Sequence, residues 1–121
     1  MRAKMSLVSA AFLALVITSP AESANYEGIV THVAPLNGKV YVALGGGAFD
    51  GPASACQGNY GSSMVYSIDP NTPFGRSLVA VALSAKLSGL LVYAMGDGSC
   101  AWGNPFPGAM NEGMVGMDLK G

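Results

Sequence analysis

Arg76-Ser77-Leu78-Val79-Ala80-Val81-Ala82-Leu83-Ser84-Ala85-Lys86-Leu87-Ser88 decides how the chain is read, because the period of its apolar residues changes there. Leu78, Val81, Ala82 and Ala85 fall on one helical stripe with Leu83 and Leu87 beside it, and Ser77, Ser84 and Lys86 take polar positions. The spacing predicts one helix over residues 76–88, roughly 18 Å long at about 1.5 Å per residue. Gly89 stands where a left-handed C-terminal cap is wanted, and Lys86 lies in the last turn, where a cation complements the helix dipole.

On both sides the chain reads as strand. Residues 26–33 are rich in β-branched and aromatic side chains and lead into Pro35-Leu36-Asn37-Gly38, whose Asn-Gly pair is a hairpin signal; residues 39–44 are the partner strand. Gly45-Gly46-Gly47 through Asp50-Gly51-Pro52 reads as a flexible end to that hairpin. A loop then carries Cys56, Gly58 and Asn59 to a third strand at residues 64–68, and Asp69-Pro70-Asn71-Thr72-Pro73 stops the sheet. Beyond the helix, residues 90–95 form a strand apolar enough to be buried on both faces, and Gly96-Asp97-Gly98-Ser99 turns the chain. Residues 105–107 read as loop. The last strand covers residues 113–119, with Val115, Met117 and Leu119 alternating with Gly116, Asp118 and Lys120. Three strands, a helix and two strands is the order of an OB-fold, a mainly β, five-stranded barrel with its helix between the third and fourth strands. A two-layer α+β sheet is the alternative. Gly28, Gly58, Gly61, Gly113 and Gly116 fall in or beside strands, as barrel corners require.

The first 24 residues read as a signal peptide for export. Arg2 and Lys4 precede an apolar run from Met5 to Ile17, and small residues follow at Ser19, Ala21, Ser23 and Ala24. Cleavage after Ser23 puts Ala21 at the −3 position and cleavage after Ala21 puts Ser19 there, whereas cleavage after Ala24 places the disfavoured Glu22 at that site. The mature start is therefore expected between Glu22 and Asn25. The run is shorter than a spanning helix needs, so no stable membrane insertion is expected after cleavage. Residues 25–121 then form one domain, secreted or periplasmic, carrying all 17 glycines and both cysteines. Two cysteines in an oxidising compartment predict a Cys56–Cys100 disulfide.

Composition excludes several function classes. Half the residues are hydrophobic, 11% are charged and the mean hydropathy is +0.39, the opposite of a disordered chain. A formal charge of −1 and a pI near 5.6 remove the basic footprint of a nucleic-acid binder. Beyond residue 24, Lys39, Arg76, Lys86 and Lys120 stand against Glu27, Asp50, Asp69, Asp97, Glu112 and Asp118, with no run of like charge.

The first hairpin, the cysteine in the following loop, Ile68-Asp69, the Gly75-to-Lys86 helix, Leu90-Leu91-Val92-Tyr93, Cys100-Ala101-Trp102-Gly103 and Val115-Gly116-Met117-Asp118-Leu119 form a pattern. It resembles small exported bacterial proteins grouped with the B subunits of subtilase-type AB toxins. The likeness covers most of residues 26–120 and its motifs are of low specificity. It implies an OB-fold that assembles as a homopentamer and binds host glycans. The Gly45–Gly51 loop departs from the family pattern, and no sugar-contacting position is carried over.

Catalytic readings find little support. His32 is the single histidine and lies in a predicted strand, with no nucleophile elbow to serve. Gly45-Gly46-Gly47 lacks the Gly-Lys-Ser/Thr of a phosphate loop, and Asp50-Gly51 and Asp97-Gly98 lack calcium-loop spacing, so both read as turns. No catalytic residue, metal or cofactor is predicted. Binding readings have more material: Phe49, Tyr60, Trp102 and Phe106 lie in predicted loops among small polar residues, where an aromatic stacks on sugar or fills a partner's pocket. Trp102 beside Cys100 reads equally as cover for the disulfide, and Phe106 between prolines as a plug for the barrel end. Met64, Met95, Met110, Met114 and Met117 offer an adaptable surface or ordinary core. The helix carries more apolar residues than one narrow stripe, so it either plugs its own barrel or packs against another subunit. The expected function is a non-catalytic module recognising a glycan or protein receptor. A structural or inhibitory envelope protein is the alternative, and an enzyme built on the acidic residues a distant third.

Overall fold

Asn37 and Gly38 have positive φ values of 51° and 79°, which bend the chain back on itself in a two-residue turn. The turn joins β1 (Asn25–Leu36) to β2 (Lys39–Asp50) in one long antiparallel hairpin. The computed structural model describes residues 23–56, 63–102 and 110–121, with the side chain of Trp102 excepted. β3 (Met64–Ile68), α1 (Pro73–Ser88), β4 (Leu91–Trp102) and β5 (Met110–Leu119) follow. The strands close in the order β1-β2-β3-β5-β4 and back to β1. This closed OB-like barrel sets aside the two-layer sheet. The closing seam between β3 and β5 is parallel and short, with Tyr66 opposite Glu112 and Ser67 opposite Gly113.

β3 and the carboxyl end of α1 lie where the sequence places them; other boundaries differ for physical reasons. The helix starts at Pro73 rather than Arg76. Thr72 Oγ1 accepts a 2.9 Å hydrogen bond from Gly75 N, and proline at the first helical position lacks only a donor that would go unused. At the other end Gly89, at φ 68°, donates to Ala85 O at 2.9 Å. β2 does not end at Leu44. It runs through the glycines to Asp50, pairing Tyr26 with Phe49 and Asn25 with Asp50 across a bulge. Gly46 takes φ 68° there, and Gly47 lies so close to the Glu27 carbonyl that no side chain would fit. β4 likewise passes through residues 96–99 instead of turning, with a bulge between Gly96 and Cys100.

Two face assignments are also corrected. β4 alternates, with Val92 and Ala94 buried and Leu91 exposed, whereas β2 is the strand buried on both faces, because Tyr41, Ala43 and Val65 form a second apolar cluster. In β5 the buried residues are Asn111, Glu112, Met114 and Gly116, and Val115 and Leu119 face outward. Gly116 packs under the end of the Met95 side chain.

The core holds Tyr26, Val30, Val42, Leu44, Met64, Tyr66, Ile68, Val92 and Ala94, and α1 adds Leu78, Ala82 and Ala85 to it. Burial of this kind stabilises by roughly 25 cal/mol per Å² of apolar surface. Cys56 and Cys100 are disulfide-bonded, with Cα atoms 5.3 Å apart. Among the described residues no helix is long and apolar enough to cross a membrane.

Candidate functional site

Glu112 is fully buried and both its carboxylate oxygens accept hydrogen bonds. Oε1 takes 2.6 Å from Ser54 Oγ, and Oε2 takes 3.0 Å from each of the Ala24 and Gly98 amides. Ser54 Oγ in turn accepts from Cys56 N at 3.0 Å, so the network runs up to the disulfide, whose Cys100 pairs with Glu112 in register. Donors converging on a carboxylate from three separate segments make this a structural node. Tyr66 belongs to it through its 3.0 Å bond to Ala24 O. Burial first, then the neighbouring Glu112 charge, push the Tyr66 phenol well above its ordinary value, so it remains a donor.

The accessible chemistry lies on the outer surface of β1, β2 and β4. Glu27 sits opposite Ala48 in β2 and Tyr93 in β4, which brings side chains of three strands into one band. Tyr93 Oη donates to Asp50 Oδ2 at 2.6 Å, and this bond is the main cause that raises the Tyr93 phenol above its usual value. Lys120 Nζ lies 3.3 Å from Glu27 Oε2 and 5.7 Å from the centre of the Tyr93 ring. Beside this band opens a cleft of about 490 Å³ lined by Glu27, Gly47, Ala48, Phe49, Asp50 and Leu91. Its volume falls in the range of small-ligand sites. Phe49 is half-buried, with its ring edge-on to Tyr26 at 5.1 Å, so packing fixes it in place.

A smaller cleft of about 240 Å³ lies across the closing seam, lined by Lys39, Ser67, Asp69 and Asp97 together with Ser99, Ala101, Gly113 and Met114. It has no described aromatic. Its two aspartates act locally: Asp97 Oδ1 accepts from Ser99 N at 2.8 Å and Ser99 Oγ at 2.6 Å, and Asp69 Oδ1 from Asn71 N at 2.9 Å.

Of the four aromatics singled out from sequence, Phe49 lines the larger cleft, although it is in a strand rather than a loop. Trp102 ends β4, and its side chain, like Tyr60 and Phe106, lies outside the described residues. His32 is exposed on β1, its Nδ1 3.1 Å from Thr31 Oγ1. Sequence reasoning missed Glu112, which falls one residue before the expected last strand. A carboxylate between Asn111 and Gly113 gives no local sign of burial. It likewise missed Tyr93 and Asp50 as a pair, since their contact spans 43 positions. No protein family, curated protein or solved structure matches the chain.

Proposed function

We propose that the protein is exported, loses its leader, and acts as a non-catalytic module that binds a glycan in the cleft formed by Glu27, Phe49 and Asp50. The observation that carries this reading is that two outward carboxylates, Glu27 and Asp50, and the exposed Leu91 line one open cleft, with Phe49 packed on the core beneath it. Carboxylates accept hydrogen bonds from sugar hydroxyls, and the exposed Leu91 beside them offers an apolar contact for the C–H face of a pyranose. The OB-like barrel supports it, since such barrels commonly bind oligosaccharides. Export is supported by the Cys56–Cys100 disulfide, which persists in oxidising compartments. Assembly into a ring of five belongs to the same proposal. On α1, Leu83 and Leu87 are 46% and 87% exposed, and Phe74 is 59% exposed, which supports packing against another subunit.

The test is a titration of the oxidised protein against a panel of defined oligosaccharides, with its mass measured by light scattering. At least one saccharide is expected to bind at micromolar strength and to lose roughly tenfold or more in affinity with Asp50→Asn, since each tenfold is about 1.4 kcal/mol. A monomer silent across the panel overturns the reading.

A further inference from the structure

We infer that the mature chain begins at Ala24 and that its new α-ammonium group pairs with the buried Glu112 carboxylate. This rests on the proposal that the chain is exported and processed. A buried ionised carboxylate is costly unless an opposite charge meets it. Among the described residues, the groups bonded to Glu112 are an amide of Ala24, an amide of Gly98 and the hydroxyl of Ser54, all neutral. Among the described residues the one ion pair is Lys120 with Glu27, at the surface, and Lys39, Arg76 and Lys86 are exposed. The nitrogen of Ala24 already lies 3.0 Å from Oε2. Turning that nitrogen into a cation supplies the missing charge without moving an atom into the node.

Ala24 is seated as a terminus would be. Its carbonyl accepts from Tyr66 Oη at 3.0 Å and from Gly96 N at 2.9 Å, and the residue is only 2% exposed, while Ser23 is exposed. The chain thus leaves its seat at the Ser23–Ala24 bond. The residues before that bond, Ala21 at −3 and Ser23 at −1, are the small ones an export endopeptidase accepts. The peptidase adds one water across the amide. The oxygen joins the Ser23 carbonyl carbon to give a carboxylate, the C–N bond breaks, and the nitrogen keeps the electron pair and becomes an ammonium with three donors. Because Ala24 is buried in the fold, the cut precedes its docking.

Intact-mass measurement and N-terminal sequencing of the protein purified from the periplasm of an expressing bacterium are expected to give Ala24 as the first residue. A start at Glu22, Ser23 or Asn25 overturns the inference and leaves export standing, whereas an uncleaved chain of 12.2 kDa overturns both. The charge pair is then read by urea unfolding of chains beginning at Ala24 or at Ser23. Retaining Ser23 keeps an amide at position 24 and is expected to raise the unfolding constant at least tenfold. In a Glu112→Gln background the two starts should differ less than twofold. Equal stability of the two starts with Glu112 intact overturns the pairing, whether or not the glutamine variant folds.

Discussion

Gly96→Ala adds a methyl group where the Glu112 carboxylate sits. A Cβ at position 96 would overlap Oε2 and lie 3.0 Å from the Ala24 carbonyl oxygen. The carboxylate is not the end of a free side chain, because three hydrogen bonds hold it within a fully buried node. Moving it leaves two amides and a hydroxyl short of an acceptor and displaces a buried charge from its partners, which costs about 3–5 kcal/mol. Against a total stability of about 5–15 kcal/mol that is a large fraction. With a urea slope of about 1.5 kcal/mol/M, the midpoint of the oxidised protein should fall by roughly 2–3 M. Gly46→Ala is the control. Gly46, unlike Gly96, has a positive φ, 68°, but nothing lies within 4 Å of the added atom, so only backbone strain of about 1–2 kcal/mol is expected. The double variant Gly96→Ala/Glu112→Ala should lose less than the sum of the single changes, because deleting the carboxylate makes room for the methyl. A Gly96→Ala midpoint within about 0.3 M of the parent would refute the reasoning.

The same unfolding assay checks three further expectations. Cys56→Ser/Cys100→Ser opens a loop of 44 positions and should cost up to about 4 kcal/mol on the chain-entropy account, with unfolding at unchanged stability as the contrary result. Thr72→Ala removes the acceptor for Gly75 N and should cost about 1 kcal/mol, and no change would mean the helix start is held by Pro73 alone. Tyr66 has a folded pKa raised above the ordinary 10.0, so its contribution is fully present below pH 10 and is lost as pH rises toward the folded value. Stability should therefore fall above pH 10 by up to about 1.4 kcal/mol per pH unit from this group, and Tyr66→Phe should make that fall shallower; an identical slope in the variant would count against it.

What the sequence made legible were the elements specified by short-range chemistry. The Asn37-Gly38 turn, the third strand, the Gly89 cap and the cysteine pairing each depend on residue types that act on their neighbours or allow a single partner. The helix start was equally local, in Thr72 and Pro73, and was obscured because the same residues also read as a turn. The glycine clusters misled for a different reason. Gly46 and Gly98 take φ values of 68° and 81° inside continuing strands, where they form bulges, and Gly47 and Gly96 are required by Glu27 and Glu112, far away in the chain. No window of neighbouring residues contains that information. The reversed face of β5 follows from the same node, since burying Glu112 turns Val115 outward.

The shortest pairing in the barrel, Tyr66 with Glu112 and Ser67 with Gly113, is also where its brace is located. The two side chains that face each other across this parallel seam grip the same residue, Tyr66 through the carbonyl of Ala24 and Glu112 through its nitrogen. Ser54 ties in the segment after β2, and Gly98 ties in the β4 bulge. Ala24, which precedes β1, is therefore part of what holds the barrel closed. The proposed ligand cleft draws on β1, β2 and the start of β4, with its polar contacts among Glu27, Asp50, Tyr93 and Lys120. Those contacts are exposed and share no hydrogen bond with the Glu112 node, and exposed pairs of this kind contribute little to stability. Asp50→Asn can thus report on binding with the barrel closed, and Gly96→Ala on closure with the cleft residues intact.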